Sequence, residues 1–153
     1  MGHYIQAIIG IHETVQKFVD DWVRAEEIKL PQGYGMVFLT NALLEDITEL
    51  FDVPDAFCYP ELDFFTVAAD QFLQQYSFRA KLAYIETDYF GGVGTQAGVL
   101  YENGRIAIEP RSGDGTVNLL LKELGVWCVP GKDVFDSLNL GRYRHMPIDK
   151  GSI

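Results

Sequence analysis

Between Tyr4 and Ile11 the residues Ile5, Ala7, Ile9 and Ile11 recur at every second position, the period of a strand. The period then lengthens. From Glu13 to Arg24 the apolar residues Val15, Phe18, Val19, Trp22 and Val23 follow i, i+3, i+4, i+7, which predicts an amphipathic helix with Lys17, Asp20, Asp21 and Arg24 outside. Glu26 to Leu30 reads as a short strand leading to the turn signal Pro31-Gln32-Gly33. Tyr34 to Leu39, apolar on both sides, suits a central strand. Thr40 or Asn41 then caps a helix to about Phe51 with Leu43, Leu44, Ile47 and Leu50 as its stripe. Asp52 to Pro60 carries two prolines and no helical period, so it is expected as an ordered loop, and a helix is predicted over 62–77 with Phe65, Ala69, Phe72 and Tyr76 on one face.

From Lys81 the chain alternates again. A long strand over 81–90 precedes the glycine-rich run 91–96, a strand over 97–102 follows, and Asn103-Gly104 signals a type I′ hairpin into a strand over 105–109. Short helices are expected over 116–124, closed by Gly125, and over 133–138. Helices and strands partly segregate, which predicts an α+β fold: a mixed, mostly antiparallel sheet with helices packed on it. Residues 1–145 are expected to form one domain and 146–153 a loosely held tail.

The chain has 153 residues and a formal net charge of -10. Its length allows a substantial core without metals or disulfides. The charge is unevenly spread: residues 1–78 hold 13 acids and 3 bases and therefore the whole excess, while 79–153 are neutral and no Lys or Arg lies between Lys29 and Arg79. This balance disfavours nucleic acid as a partner. It suits either a solvated face or a docking face for a basic protein partner. Cys58 and Cys128 lie in no metal-binding or redox spacing and read as buried thiols. The N-terminal apolar run lacks a basic start and is too short to span a bilayer, so a cytoplasmic protein without membrane contact is expected.

Candidate chemistry is sparse, and no cofactor or metal is expected. Gly92-Val93-Gly94-Thr95-Gln96-Ala97 mimics a dinucleotide fingerprint, but that mechanism needs a helix next and a strand is predicted instead. The glycine loop Gly91, Gly92, Gly94 and Gln96 then reads as a hairpin connection or as a backbone nest for an anion. Glu86 and Asp88, two apart on one strand, project from the same face. They suit either a small hydrolase or metal-dependent enzyme, with Glu102 joining if the register allows, or a solvated sheet face. His3, His12 and His145 share no zinc spacing, and no serine lies in a nucleophile motif. The run from Arg111 to Thr116 precedes a helix and reads as a loop and cap or as an anion site.

The remaining candidate is the segment from Phe51 to Phe65. It interleaves Asp52, Asp55, Glu61 and Asp63 with Phe57, Tyr59, Phe64 and Phe65 and has no positive charge. Aromatic anchors among acids suit a grip on a basic partner, in which charge steers the encounter and rings carry affinity. The competing reading is that these rings close one end of the core.

The runs YIETDYFGGVGTQAGVLYENG, TVNLLLKELGV and DVFDSLNLGRYR, within residues 80–144, resemble small, mostly uncharacterised bacterial proteins similar to immunity proteins of polymorphic toxin systems. The resemblance implies a non-enzymatic inhibitor that binds a toxin domain, such as a nuclease. A catalytic function using Glu86 and Asp88, or a homodimer held by an apolar surface, are the alternatives.

Overall fold

The computed structural model describes residues 2–147. Six strands form one antiparallel sheet in the order β2-β3-β1-β4-β5-β6: β1 (His3–Ile11), β2 (Glu27–Lys29), β3 (Tyr34–Phe38), β4 (Leu82–Phe90), β5 (Val93–Glu102) and β6 (Arg105–Ser112). The first strand thus lies in the interior, between β3 and β4, and is buried on both faces. Ile8 enters one core with Val37, Tyr84 and Val99, while Ile5, Ala7 and Ile9 enter the other with Met36, Ile85 and Leu100. Helices α1 (His12–Asp21), α2 (Asn41–Phe51) and α3 (Val67–Tyr76) cover the first face, and α4 (Thr116–Leu124) and α5 (Val134–Ser137) the second. The acidic half of the chain therefore supplies one whole helical layer, and the asymmetry of charge along the sequence becomes an asymmetry between two sides of a sheet.

Local chemistry sets the helix ends. The Thr40 hydroxyl accepts from Leu43 N–H at 3.2 Å and starts α2, and the Thr66 hydroxyl accepts from Ala69 N–H at 3.2 Å and starts α3. The third helix consequently begins later than its apolar spacing predicts. Phe64 and Phe65 belong to the extended segment before it, where Cys58 N–H donates to the Phe65 carbonyl and Val67 N–H to that of Ala56. The first helix ends earlier than predicted, because Trp22 leaves the helical path and its indole N–H donates to the Tyr76 hydroxyl at 2.9 Å, which donates in turn to Asp21 at 2.6 Å. Val23, expected in the buried stripe, is 94% exposed as a result, and Leu50 likewise faces outward. Fully buried Phe18 packs edge-on against Phe72 and Tyr76 and joins α1 to α3, each such ring contributing about 1.5–3 kcal/mol of burial.

The β5–β6 turn is as predicted, with Asn103 at φ 55° and Gly104 at φ 79°. The glycine-rich run is shorter as a loop than expected. Only Gly91 and Gly92 turn, both at positive φ, and β5 already begins at Val93. Pro110 lies in β6, an edge strand, where a missing N–H is tolerated. Most of the expected tail 146–153 lies outside the described residues. Immediately before it, Tyr4 N–H donates to the Arg144 carbonyl at 2.7 Å, and Met146 packs on the second core. Among the described residues no helix is long and apolar enough to cross a membrane.

Candidate functional site

The 51–66 segment crosses the first sheet face, and one buried carboxylate fastens it there. Glu86, 5% exposed on β4, accepts from Asp63 N–H at 2.8 Å through Oε1. Its Oε2 accepts from Phe64 N–H at 2.9 Å and from the Tyr84 hydroxyl at 2.6 Å. Burial pushes the carboxyl above its usual pKa against the pull of these three donors. The alternation that puts Glu86 and Asp88 on one face is as predicted, but Glu86 faces a loop instead of water. Glu102 does not join them: Ala97 stands opposite Glu86, and Glu102 lies at the far end of the hairpin beside Lys81, 3.9 Å away.

Over these carboxylates lies a cavity of about 170 Å³ whose walls include Glu61, Asp63, Phe64, Glu86, Asp88 and Thr95. A hydrolytic reading requires a concave site and a raised carboxyl, and both occur here. Glu86, however, spends both oxygens on the protein's own donors. Among the described residues no group of three or more His, Cys, Asp or Glu side chains could hold a metal ion. The carboxylates of Glu61, Asp63 and Asp88, whose oxygens the donors on Glu86 do not use, give the cavity a negative lining.

Glu61 and Asp63 on this cavity, and Asp52 and Asp55 earlier in the segment, are all exposed, and no ion pair within the described residues engages them. Phe57 stands among them at 70% exposure. Tyr59 is turned inward instead: its ring stacks on Phe65 and its hydroxyl donates to Asp70 at 3.1 Å, while burial and the Asp70 charge push its pKa up to about 12. Phe65 is wholly buried, so the segment's rings divide, with Phe57 left to the surface and Tyr59 and Phe65 closing the core. Two further exposed apolar residues were not visible as candidates. Phe90 follows Glu86 and Asp88 on the same face of β4, and Val93 is its cross-strand partner; both project at the hairpin tip, 85% and 78% exposed. The alternation of Glu86, Asp88 and Phe90 is the signal that could have found them.

The glycine loop serves the fold. Gly91 and Gly92 make the two-residue turn, and a Cβ at Gly94 would run into the Asp88 carbonyl. Gln96 caps α4 across the sheet: its Oε1 accepts from Val117 N–H at 2.7 Å, and its Nε2 donates to the Tyr89 hydroxyl at 2.9 Å. This supplies the cap that Gly115, without a side chain, cannot, and it occupies a donor that an anion before α4 would need. The strand after Gly92 leaves no helix N-terminus for a pyrophosphate.

On the second face a cavity of about 280 Å³ is lined by His3, Thr87, Gln96, Asn118 and Phe135 among others. The His3 ring is engaged at both nitrogens, by the Thr87 hydroxyl at 2.7 Å and the Leu140 carbonyl at 3.0 Å, and burial lowers its pKa. Neither cysteine is fully buried. Cys58 is half-buried, its pKa pushed up to about 11 by burial and by Asp70, and Cys128 is exposed, which corrects the expectation of two buried thiols.

A third cavity, of about 190 Å³, returns to the acidic face. It is walled by Gln6, Asn41, Asp55, Phe57, Phe64 and Thr66. Gln6 is 9% exposed, and its Nε2 is the single buried side-chain nitrogen or oxygen without a hydrogen-bond partner among the described residues. Leaving such a donor unsatisfied costs about 1–3 kcal/mol. Comparison of the chain with models of known protein families, with curated proteins and with solved structures gives no match.

Proposed function

We propose that this protein is a non-enzymatic binder whose 52–64 face docks a basic protein partner. The observation that carries the reading is the exposed set Asp52, Asp55, Glu61 and Asp63 around Phe57, on a segment fastened from below by Glu86. Unpaired acids raise the local concentration of a cationic partner and speed its approach. Phe57, with Phe90 and Val93 beyond Asp88, supplies apolar anchors whose burial retains the partner once it has arrived. The acid-lined cavity beside Phe64 suits the end of a partner's Lys or Arg side chain, where partial exclusion of water by Phe64 and Pro60 strengthens the ion pair.

The resemblance of residues 80–144 to immunity proteins makes a toxin nuclease the partner of first choice, and inhibition by occupying its basic surface the mode of action. The experiment is co-expression with the protein encoded beside this one. The reading expects a stoichiometric complex at low salt that Phe57→Ala combined with Glu61→Lys disrupts. A complex that tolerates that pair of changes would place the interface elsewhere. A hydrolytic reading of the same cavity is favoured by the raised Glu86 carboxyl, and it requires turnover of a substrate that Asp88→Asn abolishes.

A further inference from the structure

The largest of the three cavities lies on the second sheet face, away from the acidic segment, and takes no part in the docking role. Buried Thr87 of β4 and Val117 of α4 line it together with the rings of His3, Tyr89 and Phe135. His3 and Tyr89 are cross-strand partners on β1 and β4, and the His3 ring meets Phe135 edge-on at 5.4 Å. The polar groups of these walls are largely spent on one another. The Leu140 carbonyl can only accept, so His3 Nε2 carries the proton. Burial keeps the ring neutral, and its bare Nδ1 accepts from the Thr87 hydroxyl, which accepts in turn from Ile5 N–H at 3.2 Å. Gln96 is divided between Val117 N–H and the Tyr89 hydroxyl, and the Asn118 amide between Phe135 N–H and Asp133. Asp133, the one charge on the walls, also holds Asp136 N–H at the start of α5. The Tyr89 hydroxyl accepts from Gln96, but among the described residues its own proton has no acceptor.

These walls select among ligands. An ionised ligand would give up its water to ring faces and to polar groups already engaged. An anion would in addition face Asp133, and an ammonium group, which only donates, would leave the Tyr89 proton without an acceptor. An uncharged ring bearing a carbonyl or a ring nitrogen loses little water, packs on the aromatic walls and accepts from Tyr89. An apolar cavity of roughly 150 Å³ holds one benzene, and sites for whole small molecules begin near roughly 300 Å³, so about 280 Å³ suits one ring or two fused rings. We propose that the cavity between His3, Tyr89, Val117 and Phe135 is a binding site for a neutral, planar aromatic ligand that carries a hydrogen-bond acceptor. The site lies across the sheet from the 52–64 face and does not depend on its docking role.

The ¹⁵N-labelled protein tests this directly when it is titrated with benzamide and, separately, with cyclohexanecarboxamide, benzylamine and benzoate. Benzamide should saturably shift the backbone amides of Val117 and Asn118 and the side-chain N–H₂ resonances of Gln96 and Asn118, with a Kd of roughly 1–10 mM for so small a fragment. The amides of Phe57 and Phe64, on the other face, should not move. Cyclohexanecarboxamide, which has the same acceptor without the flat ring, and the two ions should bind several-fold more weakly. Tyr89→Phe keeps the ring and removes only the hydroxyl, and it should weaken benzamide several-fold; Phe135→Leu, which removes an aromatic wall, should do the same. Phe57→Ala with Glu61→Lys, aimed at the docking face, should leave the titration unchanged. No saturable benzamide shift at Val117 and Asn118, equal binding of all four probes, or benzamide binding that survives both Tyr89→Phe and Phe135→Leu would overturn the proposal.

Discussion

Replacing Glu86 by glutamine tests the clamp on which the acidic segment depends. Oε2 accepts two hydrogen bonds and Oε1 one, so the least costly arrangement keeps the glutamine oxygen at Oε2 and turns its N–H₂ toward Asp63 N–H. One buried backbone donor then faces another donor, at a cost of about 1–3 kcal/mol. For a chain of this size that lowers the midpoint of thermal unfolding by about 2–12 °C. The pH dependence has a definite sign. Burial raises the folded-state pKa of Glu86 above its ordinary value of 4.5, so its contribution is fully present below that value and is lost as pH rises through the folded-state pKa. A protonated carboxyl retains an acceptor on each oxygen and can donate its proton to the Tyr84 hydroxyl, whereas the glutamine nitrogen accepts nothing. The gap between wild type and Glu86→Gln should therefore be widest in acid and should narrow as pH rises. Calorimetry across about pH 4 to 8 measures the gap, and hydrogen exchange at the Asp63 and Phe64 amides locates it. Unchanged exchange at those two amides, or a gap that widens with pH, would refute the reasoning.

Gln96→Ala should cost about 0.5–2 kcal/mol by uncapping α4, with loss of exchange protection at Val117 as its local signature. Gly94→Ala should destabilise by about 1–3 kcal/mol in chemical denaturation, because its Cβ would overlap the Asp88 carbonyl, and more than Gly92→Ala, which meets open space and costs about 1 kcal/mol of backbone strain. In thiol titration near pH 8 exposed Cys128 should react at once, and Cys58, with a pKa of about 11, should lag, since about one molecule in a thousand carries its thiolate. Equal rates for the two thiols would contradict the burial of Cys58.

Where a residue's role depends on its near neighbours in the chain, the sequence was readable. The period-two run of β1, the helix initiated by Thr40 and the Asn103-Gly104 turn all follow from spacing and local hydrogen bonding. Errors arise where a distant contact overrides local preference. Phe64 and Phe65 continue the helical spacing of α3, but the bond between Cys58 and Phe65 holds them extended, and Trp22 abandons its helix for Tyr76, 54 residues away. The pairing of Glu86 with Asp88 was legible from alternation, while the clamp was not, because its donors are main-chain groups 22 and 23 positions earlier and no side-chain pattern marks them. Gln6 was hidden for the same reason: its place on β1 opposite Glu86 follows only from the register with β4. The acidic segment was visible as a block of charge, but the division of its rings into buried Phe65, inward Tyr59 and exposed Phe57 needed the fold.

The central claim, that the 52–64 face docks a basic partner through charge, is tested most directly by the association rate with that partner as a function of ionic strength. The wild-type rate should fall about tenfold or more from low to physiological salt, as screening shortens the reach of the four acids. In the variant carrying Asp52→Lys, Asp55→Lys, Glu61→Lys and Asp63→Lys it should be slow throughout and should no longer fall as salt is added. An association rate that ignores salt in the wild type, or that survives reversal of all four charges, would contradict the account.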